Sequence, residues 1–434
     1  METPKDFQKT YARSNYRLIG KAKHSALKPC HWMIAKLETG RNNKKDPITG
    51  ESMGRNCYKG YFGVESECCV QCTPALPYCN HNCVFCWRDI EKGSLGAHFT
   101  IKPDEPKHLV DEFIRNQVNL VEHHFPVDVF LQNYNLMVNI INYLKKNSNR
   151  LNQDEFHSVS GHSRNKIENA IVLLRNLNVI ETADFINHAF TPRIDPGLEP
   201  EAILKEHVTT REEIKKVHER AHSPSHAAIS LAGEPTLYPH ISGLVNEFRR
   251  RSFTTFIVTN GTTPGIINSM DSLPTQLYVT LPPPSEELYK KIHRPSGKGM
   301  YGDIKKTLEL LPSLSCRTCL RITFVKGVNG LTKIPLIDDY VRLIDAAKPN
   351  FLDIKGFSVE ARAMLLRKRL GMGGKGDTIG ESASFAPSYE DVLEFASKLS
   401  EAGGYPITEG SKPSRDVLLL VEWPENESII IDAP

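Results

Sequence analysis

The sequence predicts an α/β protein whose sheet is largely parallel and which carries a small helical insertion. From about residue 224 onward, short β-branched and aromatic runs alternate with amphipathic stretches. That rhythm belongs to βα units joined by right-handed crossovers. Between about 121 and 200 the alternation gives way to helical periodicity. The expected division is therefore 1–120, a basic segment leading into the sheet; 121–200, the insertion; and 201–434, the remaining sheet and a C-terminal region.

The candidate strands are HAAISLAG, TTFIVTNG, TQLYVTLP, CLRITFVKG, NFLDIKGF and DVLLLVEW, each rich in strand-forming residues and bounded by turn formers. Between them, HISGLVNEFRRR, SEELYKKIH, KIPLIDDYVRLIDAA and YEDVLEFASKLSEA read as helices. Several strands end in polar or glycine-containing motifs, AGEPT, TNGT and VKGVN. In a parallel barrel or an open α/β sheet, chemistry sits at the carboxyl ends of the strands, where these motifs fall.

In the insertion, LNQDEFHSVSGHSRNKIENAIVLLRNLNVIET reads as a short helix, a turn at Gly161, and a second helix from Ser163 with Ile167, Ile171, Leu174 and Leu177 on one face. NVIET is a possible wing strand, so the outline is a helix-turn-helix. The same pattern also suits two packed helices that touch no nucleic acid. GMGGKG at 371–376 matches a dinucleotide fingerprint in letters only, because a basic helical stretch precedes it where that motif needs a strand. It reads as a loop beside positive charge.

With 434 residues and 40% hydrophobic content, the chain can bury a full core. It contains no apolar run of about 18 residues, the length a membrane span needs, and METPKDFQKT lacks the apolar stretch of a secretory signal. A cytoplasmic location with no membrane partner is expected. Of the ten cysteines, eight lie from Cys30 to Cys86. A reducing compartment keeps such thiols free, which favours metal ligation over disulfides. Residues 1–60 hold 13 Lys/Arg against 5 Asp/Glu, a balance of +8 in a chain of net +3. A basic segment beside a metal site suits a polyanion such as RNA, and equally suits a plain solvated surface.

The densest signal is YCNHNCVFCWRDIE, in which Cys79, Cys83 and Cys86 stand at C-x3-C-x2-C. Three thiolates on one tight loop fill three corners of an iron–sulfur cube and leave the fourth iron open to a small chelator. The alternative is a zinc knuckle, for which His81 in the same loop is the nearest fourth ligand.

The loop, with Phe85 before its last cysteine, resembles the cluster loop of radical S-adenosylmethionine (SAM) enzymes. The resemblance implies a partial (β/α) barrel and a [4Fe-4S] cluster whose open iron binds SAM. It further implies that Gly233, Glu234 and Pro235 contact SAM, with Thr259 and Asn260 as further contacts. KHSALKPCHW, CYKGYFGVESECCVQCTPALPYCNHNCVFCWR, AISLAGEPTLYP, QLYVTLPPP and ITFVKGVN together narrow the resemblance to the tRNA 4-demethylwyosine synthase family. That family carries a second [4Fe-4S] cluster, for which the matching ligands are Cys30, Cys57 and Cys69. Cys68 and Cys72 remain alternatives; Cys69 is preferred because it stands ten residues before Cys79. Cys316 and Cys319 form a C-x-x-C that the family does not require, and read as ordinary strand-edge cysteines.

The family joins two carbons of pyruvate to N1-methylguanosine beside the anticodon of phenylalanine tRNA. The resemblance implies that Lys59, in Cys-Tyr-Lys, forms an imine with the pyruvate ketone, which requires a neutral amine that burial or a nearby cation would favour. The second cluster would chelate the keto acid. The basic N-terminal segment, RKRL at 367–370 and SKPSRD at 411–416 are candidate phosphate contacts, and Trp87, Tyr58 and Phe62 are candidate base-stacking rings. With no flavin-binding region before the cluster loop, the electron donor is expected to be a separate protein, and a monomer is the simplest assembly. The competing expectations are a radical SAM enzyme acting on another substrate and a zinc-containing RNA-binding protein without catalysis.

Overall fold

The computed structural model describes residues 4–39, 57–89, 91–147, 151, 153–176, 179–184, 189–192, 197–207, 209–329, 336–359, 361–372, 382–424 and 427–431. The tract RNNKKDPITGESM, all of GMGGKG beyond Met372, and Leu177 lie outside the described residues. No described helix is long and apolar enough to cross a membrane.

The strands are β1 (Arg17–Ile19), β2 (Ser25–Leu27), β3 (Cys69–Thr73), β4 (Ile180–Asp184), β5 (Ala189–Pro192), β6 (His226–Ile229), β7 (Thr254–Thr259), β8 (Gln276–Thr280), β9 (Arg317–Phe324), β10 (Phe351–Gly356), β11 (Ile407–Ser411) and β12 (Asp416–Leu420). Ten of them form one sheet in the order β1-β2-β3-β6-β7-β8-β9-β10-β12-β11. From β3 to β10 the neighbours are parallel. All six expected strands form.

The last of them does not run as expected. Helix Tyr389–Gly403 delivers the chain to the sheet edge at β11. The tight turn before Arg415, whose φ is +52°, folds β12 back between β11 and β10. Strand β12 therefore pairs antiparallel with both. Strand β3, which opens the parallel run, escaped sequence reading because four of its five residues are buried, so it lacks the alternation of a half-exposed strand.

Two faces of the sheet divide the core. Ile229, Ile257, Leu277, Leu320, Ile322, Leu352 and Ile354 pack against helix residues such as Leu244, Phe248, Ile304, Ile344 and Phe395. Residues of opposite parity, Cys69, Ala228, Phe256, Tyr278, Cys319, Phe351 and Leu418, cluster on the inner face with Tyr61 and Phe62. Because strand side chains alternate, the same residues that seat the helices dictate which ones line the barrel. Truncating a fully buried one such as Ile257 to alanine costs about 2–5 kcal/mol.

A second hydrophobic cluster runs from Tyr134 to Ile214. Helices Val127–Lys146, Gln153–Ser160 and Arg164–Asn176 precede the antiparallel hairpin β4–β5, and Gly161 turns between the last two at φ +69°. Leu136, Ile140, Ile141, Ile167, Ile171 and Leu174 pack together with Ile203, Leu204 and Ile214 from the helices that follow. Three helices and a hairpin make a winged helix-turn-helix outline.

Candidate active site

At the carboxyl ends of β6 and β7 the chain forms a polar junction against the cysteine loop. Gly233 has φ +76°, and a Cβ there would stand 2.0 Å from the carbonyl oxygen of Ala75, so only glycine lets the strand end approach so closely. Glu234 N then donates to Tyr78 O at 2.8 Å. The Glu234 carboxylate is 2% exposed. It accepts from Thr236 N at 3.1 Å, Thr236 Oγ1 at 2.7 Å, Thr259 Oγ1 at 2.7 Å and Asn260 N at 2.7 Å. Burial raises its pKa, and these donors pull it back only in part. The carboxylate is thus occupied in joining β6 to β7, and Pro235 starts the short 3-10 turn Pro235–Leu237.

The loop itself is pinned from three sides. Cys79 N donates to Gly96 O at 3.0 Å, Asn82 N to His293 O at 3.1 Å, and Val84 N to Ile292 O at 2.9 Å. Arg369 Nη1 donates to Cys86 O at 2.6 Å and Val84 O at 3.2 Å. This commits Arg369, one of the two arginines of RKRL, to the loop rather than to a phosphate. Arg415 of SKPSRD is likewise engaged, donating to Pro387 O and Ser358 Oγ.

Among the described residues the one tight group of metal-ligand atoms is His81, Cys83 and His293, all within 4.8 Å of one another. Tetrahedral zinc with its ligands about 2.3 Å away would draw sulfurs to within about 4 Å of each other. Cys79, Cys83 and Cys86 do not together form such a group among the described residues. Buried among them is Arg88, with both terminal guanidinium nitrogens unpartnered among the described residues. Three thiols around a buried cation fit an anionic cluster. Burial pushes Cys79 up to about 11 and Cys83 well above its ordinary range, so the loop gives up protons when its sulfurs ligate metal. His293, donor or acceptor to Cys83 Sγ at 3.5 Å, left no trace in the sequence pattern.

A second group forms toward the amino ends of the strands. Cys57 precedes the 3-10 turn Tyr58–Phe62, Cys69 opens β3, and Cys30 precedes helix His31–Thr39. Charges on Cys57, Cys69 and Cys30 act directly on Lys59, so the fold brings the four residues together. Helix His31–Thr39 is held against this site by Lys36, which pairs with Glu65 and, at 2.9 Å, with Glu67. Glu67 also takes Arg220 at 2.6 Å. The alternative sulfurs face elsewhere: Cys72 lies in the helix-packed core, and Cys68 Sγ is 3.6 Å from Arg220 O. Cys319 sits in the inner-face cluster.

Lys59 is 5% exposed, with Nζ 4.1 Å from the Tyr58 ring centroid. Burial pulls its pKa down as expected, but Cys57, Tyr58, Cys69 and Cys30 raise it and prevail. Burial also pushes the Cys30 and Cys69 thiols up, to about 11 and about 12. Arg321 also stacks on Tyr58, 3.7 Å from its centroid, and pairs with buried Asp353 at 3.0 Å. Neither Arg321 nor Asp353 carried a motif. Of the candidate stacking rings, Phe62 is buried against Phe351 and Tyr58 is taken by the cations, whereas Trp87 is 41% exposed.

A parallel barrel with a three-cysteine loop across its strand ends is the architecture of a radical SAM enzyme, and the model of the radical SAM superfamily matches residues 191–332. The SAM-dependent tRNA 4-demethylwyosine synthase of Pyrococcus horikoshii is 31% identical over 422 residues, covering 96% of this chain and 89% of that protein. The synthase of Methanocaldococcus jannaschii is 25% identical, covering 96% and 97%. A solved TYW1 structure with a lysine-pyruvate adduct bound shares the fold, with a TM-score of 0.60 at 23% identity over 99% of this chain and 100% of that one. The chain belongs to the SAM-dependent tRNA 4-demethylwyosine synthase family. It is an enzyme of wybutosine biosynthesis that uses SAM and a [4Fe-4S] cluster, and the zinc-protein alternative falls away.

Proposed function

We propose that this enzyme condenses two carbons of pyruvate with N1-methylguanosine next to the anticodon of phenylalanine tRNA. The product is 4-demethylwyosine, with release of the pyruvate carboxyl carbon. The observation that carries the proposal is Lys59, buried against Cys30, Cys57 and Cys69 in the same barrel that bears the Cys79–Cys86 loop. Cys69 and Thr73 end the same strand. Four residues at about 3.3 Å each separate the two ends of β3 by roughly 13 Å.

Cys79, Cys83 and Cys86 hold the SAM cluster, and Cys30, Cys57 and Cys69 hold a second [4Fe-4S] cluster. When bound, the first supplies the electron that splits SAM to a 5′-deoxyadenosyl radical. Gly233, Glu234, Pro235, Thr259 and Asn260 would form the wall against which SAM rests, the Glu234 carboxylate and the Asn260 side chain being already engaged in joining β6, β7 and the cysteine loop. Lys59 Nζ adds to the pyruvate ketone and water leaves, giving an imine that fixes the two carbons to be transferred.

The basic N-terminal segment contacts the tRNA backbone, and the target base leaves its stack to enter the barrel. A separate protein supplies electrons; the enzyme acts in the cytoplasm as a monomer. The test is anaerobic reconstitution, followed by borohydride reduction with labelled pyruvate and peptide mapping. Label on Lys59 and about eight irons per chain, falling to about four in the Cys79/Cys83/Cys86→Ala variant, supports both cluster sites. Four irons falling to none, with no label on Lys59, would sink the pyruvate site.

A further inference from the structure

Arg88 is 2% exposed, yet neither Nη1 nor Nη2 has a hydrogen-bond partner among the described residues. The groups whose charge acts on it most are Cys79, Tyr11, Cys86 and Cys83, none of them a carboxylate. A buried cation without an anion is strongly destabilising, so a side chain kept in this state has a partner that the polypeptide does not supply. The backbone is fixed for that purpose. Arg369 takes the carbonyls of Val84, Cys86 and Arg88, and Gly93 N binds Asp89 O at 3.0 Å. Trp87 is left facing outward, with Arg88 facing in.

We propose that Arg88 is the counter-cation of the SAM cluster, donating from both terminal nitrogens to its sulfur atoms and raising its reduction potential. The inference rests on Cys79, Cys83 and Cys86 being the ligands. A [4Fe-4S] core held by three thiolates is anionic and gains one more negative charge on reduction. A fixed cation beside it stabilises the reduced state more than the oxidised one, and hydrogen bonds to cluster sulfur act in the same direction. Arg88 is thus a positioning and tuning residue, acting on the electron transfer that precedes chemistry.

The experiment compares wild type, Arg88→Lys and Arg88→Gln after anaerobic reconstitution, in the background that lacks Cys30, Cys57 and Cys69. Iron per chain is counted first, then the reduction potential is read by EPR-monitored titration with and without SAM. The expected result is full iron in all three, a lower potential in Arg88→Gln already without SAM, and Arg88→Lys in between. If Arg88→Gln loses iron while Arg88→Lys keeps it at a lowered potential, the charge is needed to hold the cluster, which also supports the proposal. An unchanged potential in a fully loaded Arg88→Gln protein would overturn it, as would loss of iron in both variants, which would mark a packing role. A shift seen only once SAM is added would assign Arg88 to the SAM carboxylate instead. A wild-type background that takes up no iron would fail the ligand assignment itself, a different result from all of these.

Discussion

The side-chain amide of Asn260 donates to Oδ1 of Asn80 at 2.7 Å, tying the end of β7 to the start of the cysteine loop. Thr262 closes the ring, donating to Asn260 Oδ1 at 2.6 Å and accepting from Asn80 Nδ2 at 2.7 Å. The loop that carries the three cysteines is thus held at its first residues by a side chain 180 residues away. Asn260→Asp replaces a donor with an acceptor and adds a charge near the cysteines. We expect a loss of about 1–3 kcal/mol, since a buried acceptor is left facing another. Urea unfolding at neutral pH reads the loss, and SAM affinity should weaken alongside it. Unchanged values for both would remove Asn260 from the junction.

Gly233→Ala should be more damaging than its single methyl suggests. The new Cβ meets the Ala75 carbonyl at 2.0 Å and the Tyr78 carbonyl at 2.8 Å, with φ at +76°. Backbone oxygen cannot retreat as a flexible side chain would, so the strand end must withdraw from the loop. Reduced melting temperature and a loss of cluster iron are expected together. Gly265→Ala, whose Cβ would meet nothing within 4 Å, is the control that should leave both in place.

Cys69 and Cys72 share one strand and face opposite sides. Cys72→Ala is expected to cost stability in the helix-packed core, by up to about 1–2 kcal/mol for a lost small buried group, with iron content unchanged. Cys69→Ala should remove about four irons per chain, the content of one cube, with the fold intact. Iron lost from Cys72→Ala and retained in Cys69→Ala would reverse the assignment.

Burial pushes the Asp353 carboxyl up to about 6, against the pull of Arg321. The folded state therefore holds this proton more tightly than the unfolded chain does. Stability from this group is full below the unfolded carboxylate pKa, near 4, and is lost as pH rises toward about 6. Asp353→Asn cannot ionise, so its stability relative to wild type should climb across that window and level off above it. Parallel urea titrations from pH 4 to pH 7 check this, and a flat difference would contradict it.

Trp87, exposed on the cysteine loop, is the ring best placed to stack on an incoming base. Trp87→Ala should weaken tRNA binding by the worth of one stacked base, about 1–3 kcal/mol or roughly 5- to 150-fold. SAM cleavage without tRNA should be unaffected. Phe62→Leu, in the buried inner cluster, should lower stability and leave tRNA affinity alone. Equal tRNA binding by wild type and Trp87→Ala would send the search for the platform elsewhere.

Local pattern carried much of this molecule. The β-branched runs ending in AGEPT, TNGT and VKGVN announced β6, β7 and β9, because strand propensity and turn residues act over neighbours in the chain. C-x3-C-x2-C could be read as a candidate metal loop because three cysteines within eight residues need no fold to bring them near. The helical insertion was equally plain from the spacing of Ile167, Ile171 and Leu174.

Tertiary structure decided the rest. The direction of β12 depended on which edge helix Tyr389–Gly403 reached. The face of Cys69 depended on the register of β3 against β6, which a strand buried on both sides does not reveal in its hydrophobicity. Arg88, His293, Arg321 and Asp353 are ordinary residues in sequence. They acquire chemical meaning only from partners that burial and strand pairing bring to them, because electrostatic and hydrogen-bond energies depend on distance and desolvation, which the folded chain alone supplies.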